Sequence, residues 1–189
     1  MNAPAAGTRP AYVDIPLGSH AVEWEERPDG SIVMVNREAL RPYPRVLTER
    51  LVSGAAAHPH RILVAERGAD GEWISLTWGE ALPKVLALAQ SLLGRGLNAD
   101  RPVAILSPGS VAHALVALAC THAGIPYCPV SPAYSTLAKD FSKLDHVLGL
   151  LTPGLVFVED ADEYRRALDG TSVRGFEVVA ARGAAAGQT

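Results

Sequence analysis

The chain has 189 residues, 48% of them apolar and 20% charged, with a net charge of −3. That length carries one domain with a full core, and the composition excludes a disordered chain. Lys and Arg are scattered rather than gathered in a run, so nucleic acid and membrane surfaces are not expected partners. No window is apolar over the about 20 residues needed to span a membrane. The opening, MNAPAAGTRPAY, lacks the apolar core of a secretion signal, so a cytoplasmic location is expected.

Residues 1–20 read as a flexible tail. Residues 22–27 and 31–36 flank Pro28-Asp29-Gly30 and predict a β-hairpin, because Ile32, Val33, Met34 and Val35 favour strand. Two prolines keep residues 40–44 extended. Thr48 is placed to cap a short helix with Leu47, Leu51, Val52 and Ala55 on its inner face. His58-Pro59-His60 ends that helix; the two histidines have no third ligand in view and read as a solvent-facing exit. Residues 62–66 and 73–77 flank Ala69-Asp70-Gly71 and predict a second hairpin. Thr77-Trp78-Gly79-Glu80 then matches a capping box, in which hydroxyl and carboxylate each take the other residue's amide. Leu82, Val85, Leu86, Ala89, Leu92 and Leu93 recur at helical spacing until Gly94 and Gly96. Pro83 lies inside this helix and is expected to bend or weaken its first turns.

Residues 101–132 form the centre of the chain. Val103 to Leu106 is a short apolar run closed by Ser107-Pro108-Gly109, residues 111–122 are apolar on nearly every face, Gly124 stops them, and 125–130 is apolar again. This predicts strand, buried helix and parallel strand. Leu137, Phe141, Leu144, Leu148 and Leu151 predict an amphipathic helix, stopped by Thr152-Pro153-Gly154. Residues 155–158 predict a third strand, 161–168 a short helix and 176–180 a last strand. From residue 101 the order is β-α-β-α-β-α-β. The expected fold is therefore α/β, a mostly parallel sheet flanked by helices and preceded by β-hairpins.

Chemistry-bearing residues are few. Ser107, Gly109 and Ser110 stand at a strand end that opens a helix, where ligands of open α/β sheets bind. The segment is neither a dinucleotide fingerprint nor a phosphate-binding P-loop, and Ser110 also suits a simple helix cap. His113 and His122 are nine residues apart, about 900° of helix, and face opposite sides. Ser107 or Ser110 with His113 lacks both the GxSxG elbow and an acidic third member, which argues against a hydrolase. Glu159, Asp160, Asp162 and Glu163 could hold Mg2+, but such clusters more often form a solvated first turn favoured by the helix dipole. Cys120 and Cys128 form no CxxC and read as reduced core residues. Trp24, Trp73 and Trp78 read as packing.

Several segments carry a family resemblance. Leu76-Thr77-Trp78-Gly79-Glu80-Ala81-Leu82, followed by the long helix and Arg101-Pro102-Val103-Ala104-Ile105-Leu106, resembles the N-terminal part of adenylate-forming acyl-CoA synthetases. So does the run from Ala117 through Ala123-Gly124-Ile125-Pro126 to Val130. The loop Val130-Ser131-Pro132-Ala133-Tyr134-Ser135, the segments 140–144 and 150–157, and the opening Arg41-Pro42-Tyr43-Pro44-Arg45 resemble the feruloyl-CoA synthetase branch. The resemblance implies an ATP-dependent ligase that activates a carboxylic acid, ferulate or a related hydroxycinnamate, as its acyl-adenylate. It then passes the acyl group to CoA, with Mg2+ assisting. It also implies that the phosphate loop, the adenine and ribose segments and the catalytic lysine of that family would follow Thr189. No residue of this chain matches a catalytic or metal-binding motif.

The resulting expectation is a partial ligase N-terminal domain over 21–180, with 181–189 a flexible linker cut before the phosphate loop. Such a chain is expected to be inactive alone. Apolar faces such as that of residues 111–120 would then be partly open and favour self-association. The residues retained as substrate- or cofactor-binding candidates are Ser107, Gly109, Ser110 and His113. Two alternatives are a non-catalytic scaffold derived from such a ligase and a Rossmann-like nucleotide-binding protein. The second is disfavoured because Ser107-Pro108-Gly109-Ser110 stands where its glycine fingerprint should be.

Overall fold

The computed structural model describes residues 21–183; the expected N-terminal tail and residues 184–189 of the expected linker lie outside them. The described chain divides after Tyr43 into two units, a division that falls inside the segment 21–180. The first unit is the expected hairpin, β1 (Val22–Glu26) antiparallel to β2 (Ile32–Asn36). Asp29 fixes its turn by accepting from the Ser31 amide at 2.9 Å and hydroxyl at 2.7 Å, while Gly30 takes a φ of 80°. Trp24 faces Met34 across the pair.

The second unit opens with α1 (Glu49–Ala57). Thr48 does not cap it as expected. Its backbone is already helical, and its buried hydroxyl instead meets His122 Nδ1 at 3.0 Å. Of the expected inner face, Leu51 is buried, whereas Leu47 and Val52 are exposed. The second hairpin, β3 (Ile62–Arg67) with β4 (Trp73–Thr77), leads into α2 (Trp78–Leu93) through the expected capping box. Glu80 accepts from the Thr77 amide at 2.9 Å, and Thr77 Oγ1 accepts from the Glu80 amide at 3.3 Å. Helix α2 runs unbroken through Pro83, which leaves the Gly79 carbonyl without its usual helical partner.

The core follows as β5 (Val103–Leu106), α3 (Val111–Ala123), β6 (Tyr127–Val130), α4 (Ser142–Leu151), β7 (Leu155–Asp160), α5 (Ala161–Gly170) and β8 (Glu177–Arg182). The four strands lie in the order β6-β5-β7-β8 and all pairs are parallel. Side chains of a strand alternate between faces, and the two faces bury different layers. Val103, Ile105, Leu155 and Phe157 pack with α2 and α3. Ala104, Leu106, Val156 and Val158 pack with Leu144 and Leu148 of α4 and with Tyr164, Ala167 and Leu168 of α5.

Several boundaries differ from the sequence expectation. The strand expected from Ile125 begins at Tyr127, because Gly124 (φ 70°) turns the chain left-handed and the Ile125 amide reaches back to the Cys120 carbonyl at 2.9 Å. Ile125 thus finishes the cap of α3. Helix α4 starts at Ser142 rather than near Leu137, which is 80% exposed. Asp140 takes the Ser142 amide at 3.1 Å, and a short turn at Pro132–Tyr134 takes up the preceding chain; such local bonds compete with helix. Strand β8 extends to Arg182, into the stretch expected as linker. In addition, α3 is not buried all round. Val116, Ala119 and Cys120 form its buried spine, and most of its other residues are half-buried, since it lies in the outer layer.

Helix α4 is tied to the end of α5 by Asp145. Its carboxylate accepts from Thr171 Oγ1 at 2.5 Å, the Ser172 amide at 3.0 Å and Ser172 Oγ at 2.8 Å. The Thr171 hydroxyl, first among these partners, holds the Asp145 carboxyl below its ordinary value of 3.8. The unfolded chain therefore binds more protons in that window. The stabilisation is complete above pH 3.8 and is lost as pH falls through the lowered folded value. Asp145→Ala is expected to cost about 1–2 kcal/mol near neutral pH. In urea unfolding, the gap to the parent chain should narrow once the pH drops below that window; an equal gap at both pH values would remove the assignment.

Candidate functional site

The topology singles out one crevice. Strand β5 continues through α3 to β6 on one side, and β7 continues through α5 to β8 on the other. Helices α3 and α5 therefore leave neighbouring strands toward opposite faces of the sheet. In open α/β sheets ligands bind at the carboxyl ends of two such strands. Leu106 and Val158 are in register there, so Ser107 and Glu159 stand side by side just beyond the sheet.

Glu159 is only 6% exposed. Its Oε2 accepts from Ser110 Oγ at 2.5 Å and from Ser107 Oγ at 3.2 Å. Ser107 also points its hydroxyl at the Pro108 carbonyl, 2.8 Å away. Arg182, at the end of β8, approaches Glu159 Oε1 and Asp160 Oδ2, each at 3.6 Å. Asp160 caps α5 by accepting from the amides of Asp162 at 2.9 Å and Glu163 at 3.3 Å. The Asp162 amide, foremost, holds the Asp160 carboxyl below the ordinary range. On the far side of the crest, Glu66 of β3 accepts from the Val111 amide at 2.9 Å. Ser110 caps α3 by accepting from the His113 amide at 3.0 Å. His113 Nδ1 lies 3.1 Å from the Pro108 carbonyl.

Three of the four candidate residues come together. Gly109, Ser110 and His113 line a cavity of about 260 Å3 with Val64, Ala65, Val111 and Ala114. Ser107 is buried beneath them, turned to Glu159. His122 is separate, engaged with Thr48. Glu159 departs from the solvated acidic turn expected for it, and the acidic cluster is dispersed. Glu159 serves the serines, Asp160 caps α5, and Asp162 pairs with Arg165. Among the described residues no group of three His, Cys, Asp or Glu could hold a metal ion, so this cluster does not fit Mg2+. Cys120 is buried, and desolvation pushes its thiol up to about 12, which suits an inert core residue.

Glu159, Arg182 and Glu66 were missed as partners of the crest. The available signal was a carboxylate directly after the buried run Leu155-Val156-Phe157-Val158. The acidic residues that follow it concealed that signal. Nothing in the sequence places Glu66, which arrives from a hairpin 45 residues earlier.

Sheet order and crest together define an open α/β protein whose topological switch point lies between β5 and β7. The chain belongs to the AMP-binding enzyme family, whose model matches residues 52–185. A curated relative, described as a non-canonical nonribosomal peptide synthetase, CymA, of Salinispora arenicola, is 31% identical over 109 residues, or 58% of this chain and 1% of that protein. A solved structure described as a long-chain-fatty-acid CoA ligase from Rhodopseudomonas palustris is 27% identical, with a TM-score of 0.58 over 71% of this chain and 32% of that one. A fatty acyl-adenylate ligase from L. pneumophila, solved with acyl adenylate and pyrophosphate, shares the fold at 17% identity, with a TM-score of 0.61 over 72% of this chain and 23% of that one. The chain thus spans about a third or less of these solved relatives. No helix among the described residues is long and apolar enough to cross a membrane.

Proposed function

We propose that this chain is the N-terminal portion of an ATP-dependent acid ligase that joins a carboxylic acid to AMP, releases pyrophosphate and passes the acyl group to the thiol of CoA. The observation that carries this reading is the family match over residues 52–185, which spans the second hairpin and the whole parallel sheet. The acid proposed is a hydroxycinnamate, ferulate first, on the resemblance of residues 41–45, 130–135, 140–144 and 150–157 to the feruloyl branch. ATP and CoA are the partners of the complete ligase, in the cytoplasm, with Mg2+ bound outside this chain's acidic cluster. Ser107, Gly109, Ser110 and His113 form the crest on which such a site would be built.

The coding DNA beyond Thr189 is expected to continue in frame into a Ser-, Thr- and Gly-rich phosphate loop. The ligase so encoded should exchange pyrophosphate with ATP when given ferulate, at least about tenfold faster than with phenylalanine or decanoate. Exchange supported only by an amino acid would overturn the choice of acid. Turnover by the 189-residue chain alone would overturn its assignment as a portion. The peptide-synthetase relative favours a second reading, in which the activated acid is passed on to peptide synthesis rather than to CoA. AMP release that depends on added CoA separates the two.

A further inference from the structure

The two helix layers do not reach equally far across the parallel sheet. On the α4/α5 side, Val178 and Ala180 of β8 pack into the layer. On the α2/α3 side the cover thins beyond β7: Phe157 is 4% exposed, Val179 of β8 is half-buried and Ala181 is exposed. This leaves a groove of about 230 Å3, whose lining includes Leu88 of α2, Leu115 of α3, Phe157 of β7, and Val179 and Ala181 of β8. Arg95 bounds it near Glu177, donating from Nε to Glu177 Oε2 at 3.0 Å and from Nη1 to the Ser91 carbonyl at 2.9 Å. All-parallel sheets occur with both faces covered, because their crossovers lay helices on each. A parallel strand with one bare apolar face is therefore part of an unfinished layer. Extended chain would bring unpaired backbone groups onto that apolar bed. A helix satisfies its own, and it continues the row of α2 and α3 at the usual spacing of about 8–10 Å. The six residues of β8 run about 20 Å, a length that about 13 helical residues span. The described chain leaves the sheet at this groove, since Ala180 and Ala181 line it and Gly183 is the last described residue. The matched region is 32% of one solved ligase and 23% of the other, so most of such a protein lies outside it. A segment tethered to β8 meets the groove at an effective concentration on the order of millimolar, which a second copy in dilute solution does not reach.

We propose that the groove over β7 and β8 seats one amphipathic helix of about 13 residues from the ligase chain beyond Thr189. Its apolar stripe lies on Leu88, Leu115, Phe157 and Val179 and completes the α2/α3 layer. The occupant, though not the groove, rests on the ligase reading above. The test is alkylation of a thiol placed in the groove by Ala181→Cys. It is read on its own peptide by mass spectrometry, so that Cys120 and Cys128 do not contribute. In the 189-residue chain this thiol should react as an exposed one. In the protein encoded by the DNA continued past Thr189 it should react at least about tenfold more slowly. Ser91→Cys, at the exposed rim on α2, repeats the measurement; unchanged unfolding midpoints check both variants. Equal rates in the short and long proteins would overturn the proposal. So would protection of the short chain that grows with its own concentration, which puts a second copy in the groove. A long protein that is protected but exchanges no pyrophosphate with any acid would sink the ligase reading and leave the groove assignment standing. Exchange without protection would do the reverse. A stop codon directly after Thr189 would remove both.

Discussion

Ile105→Ala is expected to remove about 3–4 kcal/mol of stability, the largest effect foreseen for a single truncation here. Ile105 is fully buried at the middle of β5, paired with Pro129 of β6 and Phe157 of β7. Its side chain joins the layer packed by α2 and α3. A strand flanked on both edges and covered on both faces has little freedom to close the space left behind, so the cavity cost adds to the lost transfer energy. Domains of this size are stable by about 5–15 kcal/mol, so the variant should unfold at markedly lower urea with an unchanged slope. Leu137→Ala provides the contrast. That residue was expected inside an amphipathic helix but stands 80% exposed before it, and its truncation should fall within about 0.5 kcal/mol of the parent. A cost below about 1 kcal/mol at Ile105 would contradict the central place of β5.

Glu159→Ala is expected to cost about 1–3 kcal/mol, because it strands the hydroxyl of Ser110 under the crest and leaves Ser107 only the Pro108 carbonyl. Two interactions compete to explain the worth of this carboxylate. The approach of Arg182 is long, at 3.6 Å, and Arg182 is largely exposed, so that pair contributes under about 1 kcal/mol. The hydroxyl bonds are shorter and buried, and they dominate. Glu159→Gln keeps an acceptor for the serines and gives up only the charge, so its cost should stay near 1 kcal/mol or less. Equal losses for Ala and Gln would instead assign the stability to the ion pair. A double-mutant cycle with Ser110→Ala should show a coupling of about 1 kcal/mol or more; additive losses would break the proposed link between β7 and the crest.

Local signals were legible wherever bonds close within a few residues. Thr77 and Glu80 cap α2 as their spacing requires, and Gly124 ends α3. Asp29 and Gly30 turn the first hairpin. The alternation of short apolar runs with helical periods from residue 101 onward carried the parallel sheet, because a strand buried on both faces must be apolar throughout. Where local signals compete, pattern alone misplaced the boundary. The leucine spacing continued back through Leu137, but the Asp140 carboxylate bound the Ser142 amide and started α4 there.

The sequence by itself determined the fold class and the position of the crest, which rest on periodicity and on bonds between near neighbours, while the family came from the resemblance of residues 76–82, 101–106 and 117–130. The chemistry of that crest came from elsewhere in the chain. Glu159 lies 49 residues from Ser110, and Glu66 lies 45 residues from Val111. These distances close only when β5 and β7 become neighbours and the second hairpin folds against the start of α3. Sheet order therefore turned an apparent acidic surface run into a buried carboxylate beneath the crest. Strand adjacency is set by burial of the two faces over the whole sheet, a long-range condition that no window of sequence contains.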